Sequence, residues 1–208
     1  MHAFQTSEHI AMGTKNEHRR KYLQNTIGNE VIACKNEVDA SMMLAIMSCS
    51  LENKKMIARY PGVLDSLAQI SKSTKNTHVK LEIANILCNL AWDVDNQTIL
   101  GGNEEVLDAL VMLNSEVTYD TKIYASTAIQ YLSSNAQNKP LLVTYGGGRL
   151  IDNLLSVAKD VLLKKSSLAA VEALMHLVDR KTTPHLVSYP EFLPTLTTLS
   201  KKCLIGKL

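Results

Sequence analysis

Val63-Leu64-Asp65-Ser66-Leu67 comes back 43 residues later as Val106-Leu107-Asp108-Ala109-Leu110. It returns 44 residues further on as Leu150-Ile151-Asp152-Asn153-Leu154, and after another 42, more loosely, as Phe192-Leu193-Pro194-Thr195-Leu196. A second landmark keeps the same step, since Asn53, Asn96 and Asn138 stand 43 and 42 apart. Each is followed by a short apolar-bearing stretch and then by glycine: Gly62, Gly101-Gly102 or Gly146-Gly147-Gly148. An ordered set of helical elements with a period in the low forties is the pattern of an α-solenoid, whose units bury their apolar faces only against their neighbours. The expected fold class is all-α, an αα-superhelix of about four repeats with atypical terminal units. Such an array presents an extended concave surface and no closed pocket.

Composition agrees with that class and removes several functions. Of 208 residues, 46% are apolar and only 5% aromatic, which suits helices packed on one face with aliphatic side chains. The net charge of +2 is too small to drive binding to nucleic acid or to an acidic membrane surface, so neither is expected as a partner. No apolar run is long enough to span a bilayer. Met1-His2-Ala3-Phe4-Gln5-Thr6 lacks the charged and apolar regions of a secretory signal. Cys34, Cys49, Cys88 and Cys203 are widely spaced, with no metal-ligand pairing, and read as reduced thiols of a cytoplasmic or nuclear protein.

Residues 1–15 are polar and aperiodic and are expected to be frayed; 16–201 are expected to form the repeat domain and 202–208 a tail. His18-Arg19-Arg20-Lys21 reads either as a solvated helix face or as a weak nuclear signal. Around it, Tyr22, Leu23, Ile27, Val31 and Ile32 suggest an atypical terminal unit. The second unit is the clearest. Val79, Ile83, Ile86, Leu87, Leu90 and Val94 fall on one stripe of a helix that stops near Trp92-Asp93. Asn96 is expected to cap the short helix that comes next, and the glycines allow a sharp change of direction. A middle helix then starts at Glu104-Glu105, where acidic side chains favour the positive helix end. In the third unit the short helix starts at Asn138-Lys139-Pro140, with proline where a missing amide does no harm.

Val79-x-x-x-Ile83-Ala84-x-Ile86-Leu87-x-Asn89-Leu90-Ala91, then Asn96, Gly101-Gly102 and Val106-Leu107-x-x-Leu110, resembles the armadillo repeat, from its third helix through the turn to its first and second helices. The resemblance covers roughly residues 36 to 199. It weakens in the fourth unit, where Arg180 stands 42 residues after Asn138 and Tyr189-Pro190 replaces glycine. HEAT repeats share the length and packing; the short first helix followed by glycine favours armadillo.

The resemblance implies a ligand groove lined by the third helices. Along the 78–92 helix the line opposite the buried stripe is His78, Leu81 or Glu82, Asn85, Asn89 and Trp92. The repeat step gives equivalent rows: Met42, Asn85, Thr127 and Ala169; Ile46, Asn89, Tyr131 and Ala173; Cys49, Trp92, Ser134 and His176. Nuclear-import receptors of this family place Trp and then Asn, four residues apart, on successive third helices. This chain keeps only Asn89, with Asn85, Met42, Thr127 and Ala169 at the tryptophan positions, which disfavours a basic nuclear signal as ligand. Beta-catenin-like grooves are strongly basic, whereas Lys35 and Lys165 are balanced here by Asp39, Glu82 and Asp120, which argues against a highly acidic ligand. The expected peptide-binding groove is Met42, Ile46, Asn85, Asn89, Trp92, Thr127 and Tyr131, suited to a protein or peptide with a few apolar anchors.

Duller readings stand beside these. Trp92 either closes its own helix end or faces the groove, and Asn89 either bonds a neighbouring backbone carbonyl or a ligand. One of Met42 and Met43 is expected to pack inward, and Lys54 and Lys139 are expected on the outer side. Enzyme signals are weak. Gly146-Gly147-Gly148-Arg149 lacks the Lys-Ser/Thr ending and the preceding strand of a phosphate loop and reads as a turn. His78, His176 and His185 lie in different units without partners at catalytic spacing. No cofactor or metal is expected. The sequence thus predicts a non-catalytic adaptor or scaffold. The alternative is a piece of a larger armadillo protein, a transport receptor or ubiquitin-ligase adaptor, because no third helix comes after the fourth unit's middle helix. The oligomeric state is left open.

Overall fold

The computed structural model describes residues 37–116, 118–160 and 164–205. The expectations for residues 1–36, including the basic cluster and the atypical first unit, lie outside the described residues, as do those for residues 206–208. The chain divides into two units, 1–40 and 41–208. The first contributes only the opening turn of a helix to the described residues, and the second holds the repeats.

Every described element is helical. In order they are α1 (Glu37–Ser48), α2 (Leu51–Arg59), α3 (Val63–Ser73), α4 (Thr77–Trp92), α5 (Val94–Gly101), α6 (Glu104–Asn114), α7 (Tyr119–Ser134), α8 (Lys139–Thr144), α9 (Arg149–Lys159), α10 (Lys164–Leu177), α11 (Thr183–Ser188) and α12 (Phe192–Ile205). Short, middle and long helices therefore recur three times from α2 to α10, and α11 and α12 begin the series again. Equivalent helices pack on one another: α4 on α7 and α7 on α10, α3 on α6, α6 on α9 and α9 on α12.

The repeated pentapeptide explains the middle layer. Its first, second and fifth residues are buried in three units: Val63, Leu64 and Leu67; Val106, Leu107 and Leu110; Leu150, Ile151 and Leu154. Its aspartate points outward and ties units together. Asp65 accepts from Asn103 Nδ2 at 2.9 Å, and Asp108 accepts from the Tyr145 hydroxyl at 2.6 Å and pairs with Arg149. The looser fourth copy behaves differently, since Phe192 and Thr195 turn inward while Leu193 is exposed.

The asparagine landmark is a staple. Asn53 Nδ2 donates to Met47 O at 2.9 Å, Asn96 Nδ2 to Leu90 O at 3.4 Å and Asn138 Nδ2 to Leu132 O at 3.1 Å, in each case six residues back. Each side chain is buried and gives a second donor to a carbonyl in the last turn of the long helix, which also accepts from the backbone amide three residues on. In the fourth unit Thr182 Oγ1 donates to Leu177 O.

Two local expectations are corrected here. Asn96 does not cap α5; Asp93 does, its Oδ1 accepting from Asp95 N at 3.0 Å, and Asn96 is the helix's buried third residue. Val94 is not in the buried stripe: α4 ends at Trp92 and Val94 opens the next helix with 68% of its surface exposed. The rest of that stripe, Val79, Ile83, Ile86, Leu87 and Leu90, is buried as expected.

Candidate ligand groove

The long helices leave one side only partly covered. In α1, Met42 and Ile46 are exposed, Ile46 at 70%; in α4, Asn85 and Asn89 are half-buried and Trp92 is 54% exposed; in α7, Thr127 and Tyr131 are half-buried. None of the seven expected groove residues is in the core. Met42 and Met43 are both exposed, so the expectation that one packs inward is not met. The α1 helix turns Leu44, Ala45 and Ser48 inward instead, and both methionines lie outside that arc.

At the end of this face α1 and α4 are joined by side chains. Asn89 Nδ2 lies 3.0 Å from Ser48 Oγ, 3.3 Å from Asn85 Oδ1 and 3.8 Å from Cys49 Sγ. The Asn89 amide is thus bonded to a neighbouring hydroxyl, and not to a backbone carbonyl.

Trp92 does not lie against its own helix end alone. The Lys54 ammonium sits 4.1 Å from its ring centroid. Lys54 itself is only 6% exposed, so its expected place on the outer side is wrong. The cause is helical phase: in α2, Asn53, Lys54, Ile57 and Ala58 form the inward arc, and the lysine stem runs through it toward α4. Lys139, the other residue expected outside, is half-buried.

Beneath the groove floor lies Cys88, whose burial pushes its thiol up to about 12, with the Lys54 charge opposing the rise. Burial also raises the phenols of Tyr131 and Tyr124, and the nearby Cys88 sulfur adds to it. Tyr124 was not among the expected residues. It lies three positions before Thr127 and seven before Tyr131, a helical spacing that marks the same face.

Of the three rows, only the one ending on the exposed His176 continues into α10; the other two do not. Ala169 and Ala173 are buried, whereas Leu168 and Met175 are exposed. Gln130 Nε2 donates to Glu172 and His176 Nδ1 lies 3.4 Å from Gln130 O, and the buried Ala170, Ala173, Leu174 and Leu177 stand 45 residues after the buried Ala125, Ala128, Ile129 and Leu132, so the step into α10 is three residues longer than 42.

The remaining motifs have structural explanations. Gly146, Gly147 and Gly148 take φ of 58°, 66° and 101°, the left-handed region open to glycine, and turn the chain into α9. A side chain at Gly148 would overlap the Tyr189 ring, whose hydroxyl donates to Val143 O at 2.8 Å. His78, His176 and His185 belong to α4, α10 and α11. Among the described residues no His, Cys, Asp and Glu cluster has metal-binding geometry, and no helix is long and apolar enough to cross a membrane. No protein-family model matches the chain, and no curated protein matches it.

Proposed function

We propose that the chain is a non-catalytic protein-binding module of armadillo type, an adaptor or scaffold of the cytoplasm or nucleus. An extended partner segment lies along α1, α4 and α7. The observation that carries this reading is the shared open face of three successive long helices, where Met42, Ile46, Asn85, Asn89, Trp92, Thr127 and Tyr131 stay out of the core. Exposed Trp and Ile beside polar side chains suit a ligand with apolar anchors and an unsatisfied backbone. The near-balanced charge of +2 speaks against a phosphate backbone as the ligand.

The test is to pan a phage-displayed random peptide library against the full chain and titrate the recovered peptides by fluorescence polarisation. Trp92→Ala should weaken them about thirtyfold, the effect of losing an anchor worth about 2 kcal/mol. Lys139→Ala and Lys181→Ala should change affinity less than about threefold, an amount below 1 kcal/mol. Peptides that ignore Trp92→Ala and respond to the two lysine changes would move the site off this face.

A further inference from the structure

Lys54 is unusual among the described cations. Lys55, Lys72, Lys80, Arg149 and Lys159 each meet a carboxylate on a neighbouring repeat. Lys54 is more deeply buried than any of them, yet no carboxylate of the described residues lies within ion-pairing distance of its ammonium. Its contact is the Trp92 ring, at 4.1 Å. Asp93, the next residue along, is turned inward and uses Oδ1 to cap α5. A cation whose stem is buried and whose head is held over a ring, with no carboxylate of the described residues at ion-pairing distance, leaves its charge available to an anion brought beside it.

The surroundings define what that anion belongs to. Trp92 keeps more than half its surface open. Cys49, exposed and just past the end of α1, lies against Asn89 one turn from Trp92, and Ile46 stands three residues before it in the last turn of α1. Leu51, also exposed, is one turn before Lys54 on α2. The positive point thus stands at an end of the face that also carries exposed apolar side chains. The other cations of α2 are already engaged, Lys55 with Asp95 and Arg59 with Asn96 Oδ1 and Asp95 O, so a lone carboxylate next to an aliphatic or aromatic residue suits this position better than a highly charged ligand.

We propose that Lys54 and Trp92 form a subsite for one Asp or Glu side chain of the partner segment, with the adjoining apolar residue of that segment covering Ile46 and the open part of Trp92. The proposal rests on the groove reading and adds the chemistry of one ligand position. Lys54 supplies the charge, Trp92 holds the ammonium in place and packs the neighbour, and the buried stem keeps the lysine from following other anions.

The experiment uses the same panned peptides on the full chain. The recovered sequences should share an Asp or Glu flanked by an apolar residue. Replacing that acid by Asn or Gln should weaken binding at least tenfold to wild type and hardly at all to Lys54→Met, which keeps the stem without the charge. Lys54→Arg should retain most of the affinity, and circular dichroism with a denaturation midpoint shows that each variant is folded. If Lys54→Met unfolds the chain, the acid-to-amide swap is read on Lys54→Gln, which also removes the charge, and an undiminished loss there overturns the subsite. Peptides that need Trp92 but show no acidic position, or whose acid matters equally in Lys54→Met, overturn this subsite and leave the groove standing. Peptides indifferent to Trp92, or no recovered peptides at all, overturn both.

Discussion

Gly101→Ala should change the sign of its effect according to what stands at position 138. Gly101 is the last residue of α5, and a Cβ built there would collide with the Asn138 carboxamide. That carboxamide cannot move freely, because Nδ2 donates to Gln97 O at 2.9 Å and to Leu132 O at 3.1 Å from a fully enclosed position. Displacing it strains or breaks both bonds. Each buried bond lost costs about 1–3 kcal/mol, and Leu132 O keeps a second donor in Asn135 N, so a total near 2 kcal/mol is expected. Alanine in a helix gains about 0.5–1 kcal/mol over glycine, leaving a net loss of about 1–1.5 kcal/mol. In an Asn138→Ala background the obstacle is gone, and the same Gly101→Ala change should stabilise by about 0.5–1 kcal/mol. Urea denaturation of the four proteins, followed by helical circular dichroism, gives the coupling directly. Equal effects of Gly101→Ala in the two backgrounds would refute the packing of the staple against the preceding short helix.

Leu87→Ala and Leu110→Ala should each cost about 2–5 kcal/mol, since both side chains are fully enclosed between consecutive units; an unchanged denaturation midpoint for both would contradict the repeat register. Cys88, with its thiol near 12 against an ordinary value of 9.0, should resist iodoacetamide at mildly alkaline pH while the exposed Cys49 is modified, as read by peptide mass spectrometry. Because the folded value is raised, its contribution to stability is complete below the unfolded value of 9.0 and is lost as pH rises toward 12; Cys88→Ala should flatten that alkaline fall.

The repeat was legible because its strongest signals are obligatory for packing. The pentapeptide places apolar residues at the first, second and fifth positions, and three of its four copies bury them as expected. The start of α6 at Glu104 and the stop of α4 at Trp92 also follow from local chemistry that a single sequence carries. What failed was phase. Asn96 looked like a cap by residue type, but Asp93 is three positions earlier and already fills that role, which frees Asn96 to reach back to Leu90 O. A step of 42 residues put Ala169 and Ala173 in the groove rows, yet the buried positions of α10 follow those of α7 at a step of 45, which carries these two into the core. Lys54 was misplaced for another reason. A lysine in a short helix is ordinarily solvent-facing, and only the inward neighbours Asn53, Ile57 and Ala58 reveal its direction.

Asn89 shows how the joint between repeats limits what the groove can offer. Its amide hydrogens are directed at Ser48, Cys49 and Asn85, so they are engaged in holding α1 against α4. The group that can still face a ligand is the carbonyl oxygen, an acceptor. Asn89 is therefore suited to take a backbone N–H from a partner segment, while Lys54 gives the same end of the groove its donor and positive charge. Losing Asn89 would loosen the joint as well as the binding face, whereas losing Trp92, more than half exposed, removes contact surface with little change to the core. This asymmetry is why Trp92 is the cleaner probe of binding, and why an effect of Asn89→Ala has to be read together with the stability of the α1 to α4 contact.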